Sequence, residues 1–169
     1  MDDLIFDPYA FARQHLRREG SFKLRELTRL AAESVPHTDL ERSLQWSLQG
    51  GVDKEHDLPL ISMQVSGQLE LQCQRCLKPF LWTLDSSSTL VLARDEAHAD
   101  ELEEMLDDDS LDVLALEQQT PIMQLIEDEA LLALPLSARH EVCPDGNPLD
   151  QLDDAKESPF AALQKLKQH

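Results

Sequence analysis

Leu69-Glu70-Leu71-Gln72-Cys73-Gln74-Arg75-Cys76-Leu77-Lys78-Pro79-Phe80 joins two runs of alternating polarity. Upstream, Ile61, Met63, Val65, Leu69, Leu71 and Cys73 share one parity, while Ser62, Gln64, Ser66, Gln68, Glu70 and Gln72 hold the other. Downstream, Phe80, Trp82, Leu84, Leu90 and Leu92 share a parity, with Ser86 and Ser88 as polar gaps. A period of two marks a half-buried strand, because successive side chains point to opposite faces. The segment Gln74 to Pro79 suits a hairpin connection. Cys73 and Cys76 are therefore predicted where one antiparallel strand turns into the next. A third run precedes these: Leu40, Leu44, Trp46 and Leu48 alternate with Ser43, Gln45, Ser47 and Gln49. Arg42 falls on its apolar parity, near the start, where it can reach solvent. Gly50-Gly51 is predicted to end this strand, and a polar loop to Asp57 leads into the hairpin. Three strands with short links favour an antiparallel meander. Gly67 is predicted to mark a bulge, and Trp46 and Trp82, both in strand phase, to lie in the core.

Helical signals flank the strands. Asp7-Pro8 opens a helix, with Asp as cap and Pro at the first helical position, running to about Arg18 and stopping before Gly20. A second is predicted from Leu24 to Glu33, with Leu24, Leu27 and Ala31 on its apolar side. Arg13 and Arg17 then share one face, and Arg25 and Arg29 another. With Arg18 and Lys23 they concentrate positive charge against Glu19 and Glu26. Two readings stand: solvated helical faces, or an RNA-contact patch at Arg13, Arg17, Arg25 and Arg29. Thr120-Pro121 starts a further helix, in which Ile122, Leu125, Ile126, Ala130, Ala133 and Leu134 follow helical spacing, ending at Pro135. Its Glu127, Asp128 and Glu129 point about 100° apart and cannot converge on one atom, so they read as surface.

The chain of 169 residues, 41% hydrophobic, is predicted to form one domain with a real core. No apolar run is long enough to span a membrane, and Met1-Asp2-Asp3-Leu4 shows neither basic start nor apolar segment of a signal peptide. Three cysteines do not make a disulfide framework and read as reduced thiols. A net charge of −18 argues against general phosphate binding, which draws on Lys and Arg. It points to a basic partner, or serves solubility alone. Between Asp95 and Ala138 there is no Lys or Arg. Asp95 to Glu117 reads as an acidic solvated loop with a weak helical turn at Glu101 to Met105 and a short strand within Leu111 to Leu116. An acidic surface here, with Asp107, Asp108 and Asp109, can mimic phosphate or hold a basic protein. After Pro135 the chain is irregular through His140-Glu-Val-Cys143-Pro-Asp-Gly-Asn-Pro148. An acidic linker leads to a short helix, Phe160 to Lys167, marginal alone. The domain is assigned to residues 1–150, and the linker and tail to 151–169.

The phrase Cys73-Gln-Arg-Cys-Leu-Lys-Pro-Phe80 after a Leu-Glu-Leu strand resembles the signature of the bacterial YceD family. Ile126-Glu-Asp-Glu-Ala-Leu-Leu-Ala-Leu-Pro135 and Ser158-Pro-Phe-Ala-Ala-Leu-Gln-Lys-Leu-Lys167 match in order and spacing. The resemblance implies a cytoplasmic factor needed for accumulation of 23S ribosomal RNA, hence for large-subunit biogenesis. Its partners would be a large-subunit ribosomal protein or pre-ribosomal particle, or 23S ribosomal RNA directly.

Cys73, Cys76, His140 and Cys143 are the candidate metal ligands. Zinc takes four tetrahedral nitrogen or sulfur ligands, and a C-x2-C turn supplies two. The alternatives are unrelated structural thiols, or a redox pair at Cys73 and Cys76. The redox reading lacks the helix N-terminus that lowers thiol pKa in such pairs. No Gly-rich phosphate loop, G-x-S-x-G or H-E-x-x-H occurs, and no basic–aromatic stripe for stacking RNA bases. The reading is an α+β domain, an antiparallel meander with helices on one face. It acts by binding, with no catalytic residue and no cofactor beyond the zinc candidate. A zinc-supported protein–protein adaptor without a ribosomal role is the alternative.

Overall fold

In the computed structural model, residues 5–106 and 111–144 are described. The elements are β1 (Ile5–Phe6), α1 (Pro8–Arg13), β2 (Arg17–Lys23), α2 (Thr28–Glu33), β3 (Ser43–Val52), β4 (Pro59–Gln72), β5 (Pro79–Leu92), α3 (Glu96–Leu106), β6 (Asp112–Leu114), β7 (Thr120–Pro121) and α4 (Ile122–Leu132). A five-stranded sheet has the order β2-β3-β4-β5-β6, and β1 pairs with β7 apart from it. The α+β class is as predicted. Strands β2 to β5 form an antiparallel meander, but β6 runs parallel to β5. A parallel neighbour needs a crossover, and the acidic segment supplies it as α3, a full helix where the sequence suggests only a weak turn. The predicted tail helix Phe160 to Lys167, the linker before it and Asp107, Asp108 and Asp109 lie outside the described residues.

The hairpin carries the predicted period. Along β4 and β5 the register is unbroken from Leu60 opposite Val91 to Gln72 opposite Pro79. Gly67 faces Leu84 within it, so there is no bulge. Its missing side chain serves packing instead: a Cβ there would stand 2.8 Å from Cδ2 of Leu44. Leu44, Trp46, Leu48, Ile61, Met63, Val65, Leu69, Leu71, Leu84, Leu90 and Leu92 make the inner face. Phe11 of α1, Leu30 of α2, and Ile122, Ile126 and Ala130 of α4 close over it in one cluster. Trp82 is only half-buried at its edge. Helices are not confined to one face. Ala99 and Leu102 of α3 pack with Val91 and Val113 in a second cluster, and Val91 has the parity opposite to Leu90 and Leu92.

The N-terminal region departs most from the sequence reading. Asp7 caps α1 as predicted, its Oδ1 accepting from the amides of Tyr9 (2.9 Å) and Ala10 (3.0 Å). The helix nevertheless stops at Arg13, His15 takes a left-handed φ of 52°, and the chain returns as β2. Gly20 is not a helix stop but a strand residue opposite Trp46. A Cβ at Gly20 would lie 2.8 Å from the Trp46 ring, which stacks on Phe22 at 5.5 Å. The second predicted helix splits into a 3-10 turn, Leu24–Glu26, and α2. Strand β3 begins at Ser43 and continues through Gly50-Gly51 rather than ending there.

Two carboxylates predicted as surface are buried. Glu127 accepts from the amides of Arg29 (2.8 Å) and Leu30 (3.2 Å) and from Nε of Arg29 (2.9 Å). It thereby caps α2, which has no side-chain cap of its own. Glu129 accepts from the hydroxyls of Ser86 and Ser88, the latter at 2.7 Å. The polar gaps in the β5 pattern are thus the docking points of α4. Asp128 pairs with Arg29 at 2.6 Å on the surface side.

At Gly50 a Cβ would fall 2.3 Å from the Phe11 carbonyl oxygen and 2.9 Å from Cα of Ala12, both backbone. Gly50→Ala is expected to lower unfolding stability by about 2–3 kcal/mol. At Gly51 the nearest atom is the flexible tip of Leu60 at 3.0 Å, so Gly51→Ala should cost under about 1 kcal/mol. Urea unfolding of the two variants checks the contrast.

Candidate metal centre

Strand β4 ends at Gln72, and the turn that follows is held by its own backbone. The Cys73 amide donates to the Lys78 carbonyl at 2.9 Å, and the Leu77 amide donates to the Cys73 carbonyl at 2.8 Å. Leu77 takes a left-handed φ of 61°, a conformation costing a branched residue on the order of 1 kcal/mol. The turn therefore folds Cys76 back over Cys73 at the expense of local strain. The segment after α4 is tied down by the Gln74 amide, which donates to the Ala138 carbonyl at 2.8 Å. This bond lays Arg139 to Cys143 along the hairpin tip. The Phe80 and His140 rings meet with centroids 4.9 Å apart.

Cys73, Cys76, His140 and Cys143 consequently converge, with their ligand atoms all within 4.8 Å of one another. The sulfurs of Cys73 and Cys143 are 3.9 Å apart, and the Cys76 sulfur lies 3.4 Å from Nδ1 of His140. Around an ion with Zn–S near 2.3 Å and Zn–N near 2.0 Å, tetrahedral edges come to about 3.8 Å and 3.5 Å. The three thiols are free. Cys73 and Cys143 are buried, while Cys76 and His140 are half-buried. One turn of backbone and one returning irregular segment thus gather a Cys3His donor set close enough to hold a metal ion.

The electrostatics of the cluster suit a cation. Burial pushes the Cys73 thiol up, but the amides of Cys76, His140 and Arg75 and the His140 side chain outweigh it, and its pKa is lowered to about 5. At Cys76 the Lys78 amide lowers the pKa, yet burial and the adjoining sulfurs of Cys143 and Cys73 prevail, and it is raised. The Cys73 sulfur ionises easily and Cys76 then resists, as expected for clustered like charges. Arg75 supports the cluster from behind. Its Nε donates to the Cys143 sulfur at 3.0 Å and its guanidinium to the His140 carbonyl at 3.2 Å. Sequence spacing singles out the four ligands but not Arg75. Its position inside the C-x2-C turn was the available signal.

The four arginines of the candidate RNA patch sit on four different elements. Arg13 is exposed at the end of α1. Arg17 begins β2 and pairs with Glu19 at 3.0 Å. Arg25 pairs with Glu41, which also takes Lys23 at 2.6 Å. Arg29 is shared between Glu127 and Asp128. Arg13 and Arg17 do not share a helix face because the helix ends between them, and Arg25 and Arg29 lie in different turns.

A mixed sheet whose longest hairpin ends in a Cys3His cluster defines a small α+β protein with a thiol-rich knuckle at its tip. The chain belongs to the YceD family. The family model described as "Large ribosomal RNA subunit accumulation protein YceD" matches residues 61–167, taking in the hairpin, the cluster and α4. The protein of that description from Haemophilus influenzae is 30% identical over 173 aligned positions, covering 98% of this chain and 95% of its own length. No solved structure matches the chain.

With its folded pKa below the ordinary thiol value, Cys73 contributes stability that is full above that ordinary value. The contribution is lost as the pH falls toward about 5. In the metal-free chain, ultraviolet thiolate absorbance is expected to persist down to about pH 5 and to be missing from Cys73→Ser at pH 6 to 7.

Proposed function

We propose that this protein is a cytoplasmic binding factor supporting the accumulation of 23S ribosomal RNA during large-subunit assembly. Membership of the YceD family, over nearly the whole chain, carries this reading. The family description names an accumulation factor rather than a catalyst. No helix among the described residues is long and apolar enough to cross a membrane. A direct role on a protein is favoured over one on RNA. The net charge is −18, and three of the four candidate RNA-contact arginines are engaged with carboxylates. The partner is a large-subunit ribosomal protein or the pre-ribosomal particle that carries it.

The same proposal includes a structural zinc ion held by Cys73, Cys76, His140 and Cys143. Four protein ligands leave no open position, which is the pattern of a structural rather than a catalytic site. The ion would supply fixed cross-links between the hairpin tip and the segment after α4. Arg75 would offset the negative charge that three thiolates leave on the centre.

In cells depleted of the protein, the ratio of 23S to 16S ribosomal RNA is expected to fall and to return on complementation; an unchanged ratio sinks the ribosomal reading. Protein purified without added zinc or chelator should carry about one zinc per chain. Cys76→Ser and His140→Ala should each reduce that to near zero, and chelation should lower the melting temperature. A wild-type metal content near zero would remove the zinc site and leave the rest standing.

A further inference from the structure

On the side of the domain where α3, β6 and α4 meet, a cleft of about 900 Å³ opens to solvent. Its walls mix apolar and polar side chains, with Leu106, Leu111, Leu125 and Leu132 among the apolar ones. Leu132 is 84% exposed and Leu114, also in the wall, 43%. Leucines so exposed inside a concavity are a surface prepared for contact rather than a random scatter. The lining includes no Lys or Arg but five carboxylates. Two of these are already occupied: Asp128 by Arg29, and Glu129 by Ser86 and Ser88. Glu103, Asp112 and Glu117 are exposed and have no ion-pair partner among the described residues.

We infer that this cleft binds a basic amphipathic segment of a ribosomal protein, its apolar face against the leucines and its Lys or Arg side chains against Glu103, Asp112 and Glu117. The inference rests on the ribosomal reading for the identity of the partner and on the cleft alone for its chemistry. Leucines and carboxylates lining one groove are the combination that receives a basic helix by its amphipathic face. RNA is disfavoured there, because unpaired carboxylates repel phosphate. A second copy of the chain is disfavoured as well, since it would bring another −18 charges.

The probe is a fluorescein-labelled synthetic amphipathic peptide of leucine and lysine, its binding to the full chain read by anisotropy. Wild-type protein should bind it, more weakly as salt rises. The charge-reversed variant Glu103→Lys/Asp112→Lys/Glu117→Lys and the apolar variant Leu114→Ser/Leu132→Ser should each weaken binding about tenfold or more. Reversal at the remote Glu55→Lys/Asp57→Lys should change it less than about twofold. Glu55, Asp57, Glu103, Asp112, Leu114, Glu117 and Leu132 are all exposed, so thermal melting should show folded variants. Equal binding by the cleft variants overturns the inference. So does a tenfold gain in affinity on Lys165→Glu/Lys167→Glu, which would mean that the chain's own basic tail fills the cleft. In depleted cells, wild-type chain should restore 23S ribosomal RNA and the Leu114→Ser/Leu132→Ser variant should not. Restoration by both overturns the cleft and leaves the ribosomal reading intact. Failure of the wild type to restore it strikes that reading, while the peptide measurements still judge the cleft.

Discussion

The register of the β4–β5 hairpin is the constraint on which the rest depends. Each strand has one face in the core, so a slip by a single residue in β4 would bring Ser62, Gln64, Ser66, Gln68, Glu70 and Gln72 into it. The pairing from Leu60–Val91 to Gln72–Pro79 is therefore fixed by the sequence pattern itself. That fixed register places Cys73 and Cys76 at the tip, Ser86 and Ser88 beneath α4, and Val91 on the opposite face under α3. The thiol cluster, the docking of the main helix and the crossover to β6 are all measured from one ladder.

Polar contacts then decide how the helices sit on this frame. Burying a carboxylate is costly unless its oxygens find donors. Glu127 finds two backbone amides and a guanidinium, and Glu129 two hydroxyls. Two carboxylates within one turn of α4 thus fix both α2 and β5 relative to it. An apolar face alone would allow α4 to slide along the sheet, whereas these bonds admit a single position.

Much of this was legible in the sequence. Strands β3, β4 and β5 announce themselves by period two, and the cap at Asp7 and the start of α4 by local chemistry. Strand β2 was hidden because Phe22 is its only fully buried side chain, and because Gly20 imitates a helix stop while serving as a seat for Trp46. Gly50 and Gly67 likewise look like punctuation but exist for close approach, to the Phe11 carbonyl and to Leu44. Glu127 and Glu129 could not be told from surface residues, since their partners lie far away along the chain. The ligand set was readable as spacing. That His140 and Cys143 reach the hairpin tip depends on the Gln74–Ala138 bond, for which no local pattern exists.

The pairing of β1 with β7 joins Ile5 to Pro121 and Phe6 to Thr120. The meander from β2 to β5 needs only neighbouring strands and can form early, at small loop-closure cost. The first strand has to wait for nearly the whole domain to be made before its partner exists. A ribosome synthesising this chain therefore releases the meander first, and the N-terminal strand can pair only once Pro121 has emerged.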